Sequence, residues 1–413
     1  MTAVVGPDVF ASWVRERLFA PRSSDQQRIG LEVEMLPFFA DTGASCPLQP
    51  EASDRRSTLK LVRDYGDEKG WRERQSSKGA PYFALPNGWT LTFEPGGQIE
   101  LCTAPTNGIR ELLVAVRRVV TALRVAASDV GIELACVGID PHNEAAAVPL
   151  RVPSDRYVKM TRYFEHIGPS GVRMMRQTAA MQVSLDGGRD PATRWRLLAD
   201  ASPYFTALFA NSPRYAGRDT GFRSFREQCW RQLDPSRTGV PHPELPACEA
   251  YTRFALDAID MTRASASAAG GYRPFAEWVA DGEWSEAQWE NHLTTLFPEV
   301  RPRGHLEVRS IDSLPPELLS VPVVLLAGLA YDAAAAAEAR ALLPSASEQI
   351  LNGAARCGLR DPDIAATAIA LAELGVRGAR ALGEAAIGSE EIERAEDFLH
   401  RWSVVGRSPA DAS

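Results

Sequence analysis

Residues 91–101 read LTFEPGGQIEL, and this stretch restricts the fold more than any other. Thr and apolar residues alternate on both sides of Pro95-Gly96-Gly97, the pattern of two strands joined by a tight turn where glycine takes conformations closed to other residues. Such a turn folds Glu94 back toward Glu100. Two carboxylates beside an apolar hairpin repel unless a cation or a basic group lies between them. Taken alone, the stretch fits a surface hairpin with two solvated acids. Further acids in similar settings turn the balance toward a site.

Residues 28–38, RIGLEVEMLPF, supply them. Alternation turns Ile29, Leu31, Val33 and Met35 one way and Gly30, Glu32 and Glu34 the other, so Glu32 and Glu34 share one face of a strand. Residues 178–186, TAAMQVSLD, alternate as a strand with Gln182 and Ser184 on one face. An amide and a hydroxyl placed so can ligate a hard cation or hydrogen-bond a substrate. Residues 305–311, HLEVRSI, place Glu307 and Arg309 on one face of a further strand. Hard divalent cations take oxygen ligands, and Mg²⁺ is held by a few carboxylates while it bridges substrate phosphates. The sequence contains neither a Walker A motif nor a GxGxxG after a strand. Phosphate binding would therefore rest on metal and arginine.

Apolar spacing predicts helices over residues 8–19, 57–70, 107–130, 156–164, 191–211, 248–261 and 285–297. Residues 82–101 supply two or three short antiparallel strands with an Asn87-Gly88 turn. A buried strand over 133–139 ends in a loop at 140–143. Arg117, Arg118 and Arg124 fall on the polar side of their helix and read as a solvated face. Residues 214–239, rich in Arg, Gly and aromatics, read as an irregular basic loop of the kind that handles anions. From Pro315 onward the pattern is helical and Ala-rich, including 323–343 and 361–382, and is assigned to scaffold, with 408–413 a frayed tail.

A chain of 413 residues, 45% apolar and 24% charged, is that of a soluble globular protein. Its formal charge of -8 argues against nucleic acid as a partner. The six cysteines lack CxxC spacing, which predicts reduced thiols in a cytoplasmic protein. Neither a basic n-region before an apolar core nor an apolar run of membrane-spanning length is present, so neither export nor membrane insertion is expected.

Six segments in order also resemble a known family: GLEVE at 30–34, EPGGQIEL at 94–101, RYVKM at 156–160, MQVSLD at 181–186, FANSP at 209–213 and HLTTLFPEVRPRGHLEVR at 292–309. Together they are similar to glutamate-cysteine ligases of the plant and proteobacterial type and of the actinobacterial ergothioneine-pathway type. The resemblance implies an α+β, glutamine-synthetase-like fold, a curved antiparallel β-sheet flanked by helices. It implies one catalytic domain over 1–413, with 28–332 carrying the motifs and 333–413 a helical C-terminal extension. The implied reaction phosphorylates the γ-carboxylate of L-glutamate with ATP and passes the acyl group to the amine of L-cysteine, giving γ-glutamylcysteine for ergothioneine or glutathione synthesis. By the same resemblance, Glu32, Glu34, Glu94, Glu100 and Glu307 hold two or three Mg²⁺ ions, and Gln182 is a further metal or substrate ligand. Arg156 and Arg226 bind the glutamate carboxylates, and Arg309 faces the transferring phosphoryl group. A monomer or homodimer acting on small molecules is implied. The chain departs from the plant pattern at Ser184, where Asn is usual, at Arg176-Gln177, in place of Phe-Arg, and at Ile259-Asp260-Met261, where Val-Pro-Met-Tyr completes the amine pocket. Two alternatives stay open: a γ-glutamyl ligase with another amine acceptor, or a non-catalytic nucleotide- or metal-binding homologue.

Overall fold

The computed structural model describes residues 7–23, 26–51, 54–76, 79–264 and 271–412. The first six residues, the 265–270 part of the polar segment after residue 261, and Ser413 lie outside the described residues. The strands are β1 (Ile29–Phe39), β2 (Arg72–Gln75), β3 (Pro81–Ala84), β4 (Thr90–Phe93), β5 (Ile99–Cys102), β6 (Ile132–Ala135), β7 (Ala180–Leu185), β8 (Arg214–Tyr215), β9 (Arg218–Asp219), β10 (Val300–Pro302) and β11 (Leu306–Asp312). All but β8 and β9 join one nine-stranded sheet in the order β10-β11-β7-β1-β5-β4-β3-β2, with β6 paired to the second half of β1. Every pairing is antiparallel.

The two-residue period decides which face is dry. Ile29, Leu31, Val33 and Met35 are each 2% exposed or less, and they meet a helical layer that includes Ile109–Asp129, Pro191–Leu208 and Ser320–Tyr331. Removing a side chain of that size from water contributes about 1.5–3 kcal/mol, so a one-residue slip of β1 is excluded by its core face. The Ser320–Tyr331 helix is apolar all round and buried along nearly its whole length. It crosses the Pro362–Leu382 helix at contact distance, since a Cβ at Gly328 would lie 1.9 Å from the Gly375 carbonyl oxygen. Among the described residues no single helix is long and apolar enough to cross a membrane.

Several sequence expectations change. The 214–239 segment is not an irregular loop: β8 and β9 form a hairpin, and helices cover Phe225–Arg231 and Pro235–Thr238. Arg226 and Arg237 are core residues because they are paired, whereas Arg214 and Arg218 on the hairpin stay exposed. Arg237 is 0% exposed and donates to Asp234 at 2.7 Å, to the Thr295 carbonyl at 2.9 Å and to the Ile259 carbonyl at 2.6 Å. Nor do Arg117 and Arg124 form a solvated face. Arg117 pairs with the buried Glu391 through bonds of 2.7 and 3.0 Å, and Arg124 donates to the Leu134 carbonyl at 3.0 Å. The tail is not frayed over its described residues: Ser408 and Asp411 cap a short 3₁₀ turn, Pro409–Asp411, and Asp411 pairs with Arg223 at 2.8 Å and Arg360 at 2.6 Å. The strand expected over 133–139 is confined to β6, and the helix expected to reach residue 261 ends at Asp257.

Candidate active site

The polar face of the sheet gathers the acids by register. Glu34 on β1 lies opposite Glu100 on β5, which lies opposite Thr92 on β4, and Glu32 lies opposite Gln182 on β7. Like charges directly opposite one another destabilise a sheet, so this row is costly as built. Glu94 joins it from the turn after β4. Gly97 there has φ +89°, and a Cβ at Gly96 would stand 2.0 Å from the Arg176 carbonyl oxygen, so the turn requires both glycines. Gln98 fastens the turn, accepting from Gly96 N–H at 2.9 Å and donating to the Thr178 carbonyl at 2.9 Å.

Glu32, Glu34, Glu94, Glu100 and Gln182 all line one cavity of about 350 Å³ with Arg156, Arg226, Arg301, Arg303 and Arg309. Glu34 Oε2 accepts from Ala180 N–H at 2.7 Å, and Gln182 bridges Glu34 (3.3 Å) to Arg309 (2.5 Å). Glu100 accepts from Thr92 Oγ1 at 2.7 Å and from the Cys102 thiol at 3.2 Å. Tyr157 Oη donates to Glu94 at 3.3 Å. Burial, then the neighbouring Glu94 charge, pushes the Glu34 carboxyl up to about 8. Burial also raises Glu94, and burial with the charges of Glu94, Glu32 and Glu34 raises Glu100 well above the usual range. Burial followed by the Glu307 charge raises Glu32. Four acids that resist ionisation side by side form a sink for cationic charge.

Glu307 behaves differently. It is 0% exposed and held by three arginines: Arg301 at 2.8 Å, Arg303 at 3.5 Å, and Arg309 in direct contact. Burial would raise its carboxyl, and Arg301, Arg309 and Arg303 together overcome this and hold it at about 2. It is the counter-ion of the basic wall. A register shift in β11 between Val308 and Ile311 sets Arg309 against both Glu307 and Gln182.

The arginines keep donors in reserve. Arg156, Arg226, Arg301 and Arg309 each have a buried Nε with no hydrogen-bond partner among the described residues. Unpartnered buried Nε donors recur elsewhere, at Arg173, Arg176 and Arg273 among others, so it is the gathering of four of them on one acid-lined cavity that leaves room for a further acceptor. Two helix caps aim the outer pair. Ser154 caps the Asp155–Ile167 helix by accepting from Tyr157 N–H at 3.3 Å, and Ser224 caps the Phe225–Arg231 helix by accepting from Glu227 N–H at 3.1 Å. Arg226 also stacks over the Trp230 ring at 4.9 Å. One side of the cavity wall, with Tyr157, Met160, Met174, Met175, Trp230 and Phe297, is aromatic and thioether. A second cavity of about 240 Å³ shares Glu32 and runs past Arg22, Arg28, Ser184 and His305.

Eight of the nine residues singled out in the sequence line the main cavity, and Glu307 stands behind them as a salt-bridge hub. Sequence reasoning missed Arg301, Arg303, Tyr157 and Gln98. A signal existed for Arg301: Gly304 turns PEVRPRGHLEVR into a hairpin, which places Arg301 opposite Glu307. Among the described residues no three acids or imidazoles converge into a ready-made metal cage. The donors are nevertheless all oxygen, and Mg²⁺ takes one or two carboxylates plus substrate phosphates rather than an all-protein cage. The residues therefore fit such an ion.

Comparison with known proteins converges on one group. The family model described as glutamate-cysteine ligase family 2 matches residues 28–412, so the similarity includes the C-terminal helices. Glutamate--cysteine ligase EgtA of Mycobacterium tuberculosis (strain ATCC 25618 / H37Rv) is 37% identical over 302 residues, covering 67% of this chain and 67% of that protein. The chloroplastic glutamate--cysteine ligase of Arabidopsis thaliana is 31% identical over 339 residues, 75% of this chain and 60% of its own length. The fold matches the crystal structure of glutamate--cysteine ligase (gshA) from Francisella tularensis in complex with AMP with a TM-score of 0.56 at 11% identity, over 95% of this chain and 84% of that one.

Proposed function

The chain belongs to glutamate-cysteine ligase family 2, and on that premise we propose that it joins the γ-carboxylate of L-glutamate to the amine of L-cysteine. ATP is cleaved to ADP and phosphate, and γ-glutamylcysteine is the product. The observation that carries this function is one cavity in which buried carboxylates face arginines with unused Nε donors.

Glutamate brings two carboxylates and needs forked cationic partners, which Arg226 and Arg156 supply. Arg309 reaches the γ-carboxylate and the arriving phosphoryl group, where its fixed charge meets the charge that grows on the transferring oxygens. The γ-carboxylate attacks the terminal phosphorus of ATP and ADP leaves. The amine of cysteine, as the free base, then attacks the acyl phosphate carbonyl, phosphate leaves, and the extra proton on nitrogen passes to solvent. Glu32, Glu34, Glu94 and Glu100, with Gln182, would hold Mg²⁺; when bound, the ions neutralise the phosphates and draw them toward the carboxylate wall. Glu307 serves the arginines here, so ligation by it requires Arg301 and Arg309 to give up its oxygens. We assign the nucleotide to the second cavity beside Glu32, where Arg22, Arg28 and His305 stand. The methionine and aromatic wall suits a thiol side chain and shields the acyl phosphate from water. The protein acts in the cytoplasm as a monomer or homodimer and feeds ergothioneine or glutathione synthesis.

The test is ADP release by the purified protein with ATP, Mg²⁺ and L-glutamate, with and without L-cysteine, and product mass read alongside. Release that needs both amino acids and yields γ-glutamylcysteine supports the proposal. Release with a different amine alone shifts attention to Ile259 and Met261, which pack into the methionine and aromatic cluster behind the wall. Silence with every amine rejects catalysis.

A further inference from the structure

We infer that Asp312 is a positioning residue for glutamate binding, fixing Arg226 in the cavity wall through a buried network. Asp312 closes β11 and is 1% exposed. Its Oδ2 accepts from Asn211 N–H at 2.8 Å and Ser212 Oγ at 2.6 Å, and its Oδ1 accepts from Ser224 Oγ at 3.0 Å. The same Oδ1 stands 3.7 Å from Arg226 Nη1.

Both hydroxyls also hold the helix that carries Arg226. Ser212 Oγ accepts from Arg226 N–H at 3.2 Å, and Ser224 Oγ caps the helix through Glu227 N–H. Arg226 Nη2 is spent on the Arg309 carbonyl at 2.7 Å. One guanidinium edge is thus committed to protein, and Nε is left without an acceptor in the wall. The site for Asp312 is built around it: a Cβ at Gly138 would fall 2.4 Å from the Asp312 Cγ. Only glycine leaves room for the carboxylate where it lies.

A buried carboxylate that accepts three bonds and faces a guanidinium lowers the freedom of that guanidinium to swing away. Glutamate then meets a donor already aimed, and the ordering cost is removed from its binding. This rests on the assignment of Arg226 to the glutamate carboxylates.

The experiment measures steady-state kinetics of Asp312→Asn, Gly138→Ala, Arg226→Ala and the Asp312→Asn/Arg226→Ala double variant, with thermal midpoints recorded for each. Asn keeps the volume but presents an amide where donors already point; Ala at position 138 keeps the charge but displaces it. Both single variants are expected to raise the glutamate KM roughly tenfold or more while the ATP KM stays within about twofold. The double variant should match Arg226→Ala alone, because a lost positioner has nothing left to position. A folded Asp312→Asn or Gly138→Ala protein with unchanged glutamate KM overturns the inference, as does equal loss for both substrates. If Arg226→Ala itself leaves the glutamate KM unchanged, the Arg226 assignment fails instead. Should Asp312→Asn not fold, Gly138→Ala decides the matter alone.

Discussion

Glu34 shows what the row of acids costs and what it is for. It faces Glu100 across β1 and β5 and feels Glu94 beside it. Glu34→Gln keeps the shape and replaces a carboxyl that the fold must hold toward its neutral form, so the proton-uptake cost of burying it disappears. In metal-free buffer this variant should unfold at a free energy about 1–3 kcal/mol above wild type, measured in urea, while turnover falls roughly 100-fold. Lower stability would show that the acids are not in conflict. His292 gives a pH signature away from the cavity. It is 0% exposed, bonds the Ala255 carbonyl at 2.8 Å and stacks on Phe275. Burial, resisted by Asp260, holds its imidazole at about 4 against 6.5 for a free one. The neutral form is favoured in the fold, so this stability is complete above pH 6.5 and is lost as pH falls toward 4. The expected loss over that window is roughly 2–3 kcal/mol, and His292→Gln, which can still donate to Ala255, should flatten the slope. An unchanged slope would assign the acid lability elsewhere.

Among the elements, the turn between β4 and β5 has the least room for change. Gly96→Ala pushes a methyl into the Arg176 carbonyl and should cost about 1–3 kcal/mol of stability while displacing Glu94 and lowering turnover. A variant with the wild-type melting point and rate would show that the turn yields easily. This turn was readable in the sequence because its signal is local: glycines between alternating residues. The same holds for β1, β7 and β11, whose period of two placed Glu32, Glu34, Gln182, Glu307 and Arg309 on their faces. The burial of the Phe225–Arg231 helix was not readable, because beyond the local Glu227–Arg231 pair the partners of its arginines lie far off in sequence: Asp312 beside Arg226, and Glu299 beside Arg231 at 2.7 Å. Composition reports that such a segment is basic; only the fold reports that it is neutralised. The clasped tail escaped for the same reason, since Arg223 and Arg360 are remote from Asp411.

At the scale of the whole molecule, the Ala-rich C-terminal helices do more than cover the sheet. Glu391 ties them to the Ile109–Asp129 helix through Arg117, and Glu348 reaches Arg231, on the helix that presents Arg226, at 3.3 Å. Glu391→Ala leaves a partly buried guanidinium without its partner and should cost about 2–4 kcal/mol, measured by chemical denaturation. A cost under about 0.5 kcal/mol would reduce the pair to surface decoration. Trp230 lies within this same frame, with Arg226 over its ring and its indole N–H on the Phe297 carbonyl at 3.1 Å. An indole beneath the cation we propose for glutamate is a native optical probe. Glutamate docking should alter the near-ultraviolet emission of the protein, and the change should vanish in Trp230→Phe while the other eight tryptophans remain. Binding could then be followed without label, nucleotide or turnover.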